Sequence, residues 1–218
     1  MMRYKIAPDI EIRAENAAKP ESQASKFLLD LLAGLSHVDS TFDYGCGKLR
    51  YQTAIAETTD SLAIIDSEVQ LSRTQILRGK KASIRNIYKQ SNRVQVYSDE
   101  EFQKLNARFD RGFCINVLSV IPFNARRRQV LEVIRRKLRR GGECLFVVQY
   151  RNSDFTRMRK MPNAKPWLDG FLIDSLRGHS FYGLISPDRL ESSLKRAGFC
   201  VCKTDLNEGS VYCWATPE

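Results

Sequence analysis

A buried strand running straight into a glycine turn constrains this chain more than any other feature. Thr41-Phe42-Asp43-Tyr44-Gly45-Cys46-Gly47 reads as the end of such a strand, closed by the acidic Asp43 and followed by two glycines one residue apart. Glycine accepts positive φ without a steric cost and lets a ligand approach bare backbone. A turn of this kind belongs at the carboxyl end of a strand in an open α/β sheet, where such sheets bind their ligands.

The periodicity along the chain agrees. Leu62-Ala63-Ile64-Ile65 is a continuous apolar run, the pattern of a strand covered on both faces, and it ends at Asp66. Further strands are predicted over 38–43, 93–97, 109–117 and 143–150, and a terminal hairpin over 199–204 and 209–215. Helices fall between them. Phe27, Leu28, Leu31, Leu32 and Leu35 share one face of a helix over 20–36, with Pro20 in its first turn and Gly34 weakening its end. The turn opens a helix over 48–59, and another is expected over 69–79. Val130, Leu131, Ile134 and Leu138 mark a helix over 124–140, which Gly141-Gly142 should end. Ser186 is a good N-cap with Pro187 at the first helical position, and Gly198 stops that last helix. Strands interleaved with helices argue for a parallel sheet with helices on both faces.

With 218 residues, 43% of them hydrophobic and 28% charged, the chain fits one α/β domain and not a disordered or collagen-like polymer. Residues 1–19 are polar and weakly patterned and are expected to form an N-terminal arm or irregular cap on a single domain over 20–218. Residues 151–185 are basic and aromatic without a clear element and are expected to be a substrate-recognition or lid segment. The N-terminus has no apolar leader core, and no apolar run reaches the ~20 residues that cross a bilayer, so a cytoplasmic location and no membrane partner are expected. None of the six cysteines forms a Cys-x-x-Cys pair or stands near a histidine at zinc-ligand spacing; they read as reduced, mostly buried thiols, and no metal site is expected.

Four segments fall at predicted strand ends: Asp43 to Gly47, then Asp66-Ser67, Ser98-Asp99, and Asn116-Val117-Leu118. An acidic residue about 20 positions after the glycine turn is where a nucleotide ribose is held, and Asp66 stands there. The order of elements and these four segments resemble the class I S-adenosylmethionine-dependent methyltransferases over about residues 22–216. That resemblance implies a Rossmann-like, doubly wound, seven-stranded, mostly parallel sheet with an antiparallel C-terminal strand. It implies S-adenosylmethionine as cofactor. Asp43, Gly45, Cys46 and Gly47 would pass under its methionine part, and Asp66, followed by Ser67, would hold the ribose hydroxyls. Ser98 and Asp99 would border the adenine, and Asn116 and Val117 the methyl-bearing sulfonium. The family's turn commonly continues to a third glycine, where this chain has Leu49. The spelling Asp-Tyr-Gly-Cys-Gly-Lys at 43–48, with Asn-Val-Leu-Ser-Val-Ile-Pro at 116–122, is similar to a bacterial group of methyltransferases associated with DNA modification or phage defence.

The activity so implied is methyl transfer to an unidentified acceptor, with positioning and exclusion of water as the protein's contribution. His179 is the better placed of the two histidines to act as a base, and Tyr150 and Tyr182 are further catalytic candidates. The (Asp/Asn/Ser)-Pro-Pro-(Tyr/Phe) segment with which base amino-methyltransferases bond a flipped amine is replaced by Asn116-Val117-Leu118-Ser119, and a Pro-Cys nucleophile is absent, so those routes are disfavoured. The charge pulls the other way. The net charge is +10, residues 126–140 carry eight basic residues against Glu132, and 151–165 adds Arg151, Arg157, Arg159, Lys160 and Lys165 beside Phe155. Such segments suit a nucleic-acid partner. Two other readings stand beside the enzyme: a non-catalytic nucleic-acid-binding or scaffold protein on the same fold, and an NAD(P)-dependent oxidoreductase of related topology.

Overall fold

A computed structural model describes residues 3–8, 10–176 and 178–218. Residues 1, 2 and 9 of the expected arm and position 177 of the expected lid lie outside the described residues. In chain order the elements are β1 (Arg3–Ala7), β2 (Ile10–Arg13), α1 (Lys26–Ala33), β3 (Val38–Tyr44), α2 (Gln52–Ala56), β4 (Thr59–Asp66), α3 (Glu68–Ser72), β5 (Gln75–Leu77), β6 (Lys80–Ala82), α4 (Ile84–Tyr88), β7 (Val94–Ser98), α5 (Asp99–Lys104), β8 (Phe109–Ile115), α6 (Asn124–Lys137), β9 (Leu138–Gln149), α7 (Ser153–Met158), β10 (Ala164–Trp167), β11 (Gly170–Ile173), β12 (Ser180–Gly183), α8 (Pro187–Arg196), β13 (Phe199–Asn207) and β14 (Ser210–Pro217).

Side chains on successive strand positions point to opposite faces, and this chain buries both sets. Ala63 and Ile65 of β4 and Phe146 and Val148 of β9 join Phe102, Leu131, Ile134, Leu190 and Leu194, which come from α5, α6 and α8. Leu62 and Ile64 of β4 and Leu145 and Val147 of β9 join Leu28, Leu32, Ile55, Leu71 and Ile84, which come from α1 to α4. The two clusters are the two faces of one sheet, with strand order β7-β4-β3-β8-β9-β14-β13. Pairing is parallel from β7 through β9, and β14 runs antiparallel to both of its neighbours. The sheet is the Rossmann-like one expected, and the order reverses between β3 and β8.

Several local expectations change. Helix α1 starts at Lys26 with Ser25 accepting from the Leu28 N–H; Pro20 precedes a separate 3-10 turn over Glu21–Gln23. The helix expected over 48–59 shortens to α2, because the glycine turn continues as irregular backbone to Tyr51. Within 69–79, α3 stops at Ser72, and Arg78 and Gly79, both at positive φ, turn a β5–β6 hairpin. Helix α6 ends at Lys137, not at the Gly141-Gly142 pair. Those glycines lie inside β9, where the pairing with β8 slips between Phe109 and Arg111. In the expected irregular arm β1 and β2 pair as a two-stranded ribbon, and in the lid β10, β11 and β12 form a three-stranded antiparallel sheet. Neither was legible because each is built of short, half-exposed strands without a clean alternation of apolar and polar residues. The Ser186 cap, Pro187 at the first turn and the terminal hairpin are as expected. No helix among the described residues is long and apolar enough to cross a membrane.

Candidate functional site

A cavity of about 370 Å³ opens at the carboxyl ends of β3, β4 and β8, at the order reversal, within the size range of small-molecule sites. An adjoining chamber of about 530 Å³ shares Lys19, Arg50, Asn116, Gln149 and Asp154 with it. Two segments distant in sequence roof the cavity. Residues 14–20, after the ribbon, supply one wall; Ile173, Phe181 and Tyr182 of the lid sheet supply another. The walls meet where Lys19 is ion-paired to Asp154 at the start of α7 and where Arg13 N–H donates to the His179 carbonyl at 2.8 Å.

The floor is the glycine turn. The Gly45 and Cys46 N–H groups both donate to the Ile65 carbonyl, at 2.7 and 3.0 Å, so the turn stays stitched to β4. Gly45 stands at φ +86°, and a Cβ there would lie 2.2 Å from Val117 Cγ2. Gly47 is at φ +56° and Leu49 at φ +61°. Leu49 therefore adopts a left-handed backbone, and its side chain is fully buried with Leu28, Leu32 and Ile55. Core packing holds a leucine where the left-handed backbone alone would favour glycine.

Two buried carboxyls face this turn. Asp66 is tied down: Oδ2 accepts from the Gly47 N–H at 2.9 Å and Oδ1 from the Ser67 N–H at 2.7 Å. Burial raises it to about 6, with those N–H groups pulling downward. Asp43 accepts no side-chain hydrogen bond from any described residue, and burial together with the Asp66 charge raises it to about 7. The Cys46 thiol is pushed far up by burial and by the same two carboxyls, which leaves it an inert wall.

Of the residues singled out in the sequence, Asp43, Gly45, Cys46, Gly47, Asp66, Asn116, Val117 and Tyr182 line the cavity together. Ser67, Ser98 and Asp99 do not. Ser67 caps α3 and Ser98 caps α5 through a complete capping box, while Asp99 accepts the Tyr44 hydroxyl. His179 is turned to Asp174 at 3.7 Å, and Tyr150 lies under the Arg151 guanidinium at 5.3 Å; neither lines the cavity. The Tyr182 phenol keeps its proton, because burial and Asp154 push it up. Of the basic residues on α6, Arg127 is buried: it donates to the Leu118 and Ile121 carbonyls at 3.0 and 2.8 Å and forks onto Asp169 of the lid. Lys137 is also buried, bonded to the Gln103 carbonyl and lying over the Phe102 ring.

Gln70, Gln149, Asn152 and Ser119 were missed. Gln70 lines the cavity beside Gly47 with its Oε1 buried and without a partner. Gln149 donates to Asn116 Oδ1 at 2.6 Å and takes a bond from Asn152, and its N–H donates to Ser119 Oγ at 2.8 Å. Gln149 ends the fifth strand of the sheet, so the strand-end rule that marked the other segments marks it too.

The chain is 32% identical over 207 residues to the uncharacterized protein YmfD of Escherichia coli (strain K12), a match covering 93% of this chain and 91% of that one. It belongs to the YmfD family. No family model matches it. The fold is similar to a S-adenosylmethionine-dependent methyltransferase from Clostridium acetobutylicum ATCC 824, with TM-score 0.62 and 12% identity over 93% of this chain and 94% of that one. It is also similar to DhpI, solved as a complex with SAH, with TM-score 0.59 and 16% identity over 87% of this chain and 81% of that one. The YmfD-like chain thus has the class I S-adenosylmethionine-dependent methyltransferase fold.

Proposed function

We propose that the chain binds S-adenosylmethionine in the cavity above the Gly45–Gly47 turn and transfers its methyl group to an acceptor in the adjoining chamber. The observation that carries this reading is the Asp43 carboxyl, buried at the turn and unpartnered. A buried carboxyl without donors is costly unless a ligand supplies them, and the cofactor's methionine part presents a cation to it. Asp66 has acceptor capacity left for ribose hydroxyls after its two backbone bonds. DhpI, of the same fold, is solved with SAH and SAM, which supports the choice of cofactor.

When bound, the cofactor supplies an electrophilic methyl group on a sulfonium. The chain's part is to hold and to dry. The turn and Asp43 fix the cationic end, Asn116 and Val117 border the reacting side, and residues 14–20 with the lid sheet exclude water. Titration calorimetry with S-adenosylmethionine and S-adenosylhomocysteine tests the reading, with NAD as the control for the oxidoreductase alternative. Binding is expected for the first two and lost by about 1–3 kcal/mol in Asp66→Ala, the cost of a charged hydrogen-bond partner. Binding to NAD alone would replace this reading.

A nucleic-acid partner is a second reading, supported by the exposed side chains of Arg136, Arg140, Arg151, Arg159, Lys160 and Lys165. The association with DNA modification belongs with it. Salt-sensitive binding of a single-stranded oligonucleotide, weakened by Arg159→Glu with Lys160→Glu, is the expected result.

A further inference from the structure

Three side-chain amides run in a row across the boundary between the cavity and the chamber, and one backbone group sets the sense of all three. Asn152 is the N-cap of α7, so its Oδ1 must face the Phe155 N–H, which donates to it at 3.1 Å. Its Nδ2 is thereby turned to Gln149, which must present Oε1. The Tyr182 hydroxyl agrees: it sits 3.0 Å from that Oε1 and 2.6 Å from Asn152 Oδ1, and its one proton finds an oxygen to receive it on either side. Gln149 then presents Nε2 to Asn116, whose Oδ1 accepts it at 2.6 Å. The chain of amides ends on Asn116 Nδ2. That group has no partner among the described residues and is not a closed-off buried atom, while Asn116 lines both cavities. Its backbone is pinned as well, at φ +62° with its N–H donating to the Val147 carbonyl at 2.8 Å.

The end of the fourth sheet strand therefore offers a donor to the chamber. Its side-chain carbonyl, the group that would accept from an amine, is turned to Gln149. Arg50 lines the same chamber with its Nε buried and unpartnered, which adds positive charge. Asp154 is neutralised by Lys19 and Arg157, and Glu208 stands at the exposed rim. Neither histidine lines either space.

We infer that the methyl acceptor is a carboxylate, held by Asn116 Nδ2 and opposed in charge by Arg50, and that Asn152 and Gln149 are positioning residues that keep Asn116 in the donor sense. The inference rests on the S-adenosylmethionine reading. A carboxylate takes the methyl with its own electron pair: the C–O bond forms, the S–CH₃ bond breaks with its pair left on sulfur, and no proton has to leave. An acceptor that needs no base suits a chamber that no imidazole lines. A neutral amine becomes a cation on methylation and must then shed a proton, a step that a carboxylate acceptor avoids.

The test is nuclear magnetic resonance of the ¹⁵N-labelled full chain, with and without S-adenosylhomocysteine, titrated with benzoate and with aniline. The Asn116 side-chain signal is identified by its loss in Asn116→Ala. Benzoate is expected to move that signal at a concentration at least about tenfold below aniline, since a site built around one hydrogen-bond sense rejects the other. Asn152→Asp keeps the α7 cap but offers Gln149 only oxygen, so the row of amides reverses and the benzoate preference is lost while backbone signals stay in place. An equal or greater response to aniline, or no response to benzoate in either state, overturns the inference. Failure of S-adenosylhomocysteine to bind overturns the cofactor reading instead, and the titration without it still reports on the chamber.

Discussion

Asp43 and Asp66, on adjacent parallel strands, are both buried at the glycine turn, and only Asp66 has backbone N–H groups to hold its charge. Asp43 is raised to about 7 and Asp66 to about 6. Both lie above the ordinary value of about 3.9, so the stability they contribute is full below about pH 4 and is lost as pH rises through 6 and 7. A cationic ligand reverses the preference because it favours the ionised forms. Affinity for S-adenosylmethionine should therefore rise by up to about tenfold per pH unit below the Asp43 value and level off above it. Calorimetry from pH 5.5 to 8 checks this. Asp43→Asn should flatten the upper part of the profile, and an unchanged profile would detach Asp43 from the ligand.

Gly45 has no room for a side chain, since Val117 Cγ2 would lie 2.2 Å from a Cβ and φ is +86°. Gly45→Ala should destabilise the chain by about 1–3 kcal/mol through strain and overpacking. The double variant with Val117→Ala should recover the steric part and not the backbone part. Thermal unfolding of the four proteins measures the coupling, and strict additivity would show that the two residues do not press on each other.

Leu49 sets backbone strain against burial. Glycine at this position relieves a left-handed residue worth about 1–2 kcal/mol, but it removes a fully buried leucine, a loss of about 2–5 kcal/mol. Burial should win, leaving Leu49→Gly less stable by about 1–3 kcal/mol. Leu49→Ala, which loses the packing and keeps the strain, should be worse still. A glycine variant more stable than the parent would mean that the turn is held from elsewhere.

Arg127 joins α6 to the lid. Replacing it with alanine leaves the Leu118 and Ile121 carbonyls without their donor and leaves Asp169 with Arg189 as its ion-pair partner. Leaving buried carbonyls without their donor costs about 1–3 kcal/mol. Arg127→Ala should lower the unfolding temperature and speed hydrogen exchange across 164–183, whereas Arg128→Ala, on the exposed face beside Glu132, should do neither.

Much of the frame was written in local pattern. The apolar run from Leu62 to Ile65 marks a strand covered on both faces, because alternate side chains must go to opposite sides. The Ser186-Pro187 start and the Gly198 stop of α8 are properties of a few neighbouring residues. The glycine turn with Asp66 at the next strand end placed the cavity at the right edge of the sheet. Local pattern misled where one signal has two readings. Gly141-Gly142 marks a helix end as readily as an irregular strand, and a run of arginines on α6 hides the one that is buried.

By itself the sequence determined the alternation of elements, the two-faced sheet and the carboxyls at its strand ends, because these follow from the period of hydrophobicity and from turn chemistry. The tertiary structure alone decided what closes the site and what faces the acceptor. Lys19 meets Asp154, and Asn116 meets Gln149, Asn152 and Tyr182, across separations that no local period encodes. The sense of an amide or the burial of an arginine is set by the partner that folding brings to it.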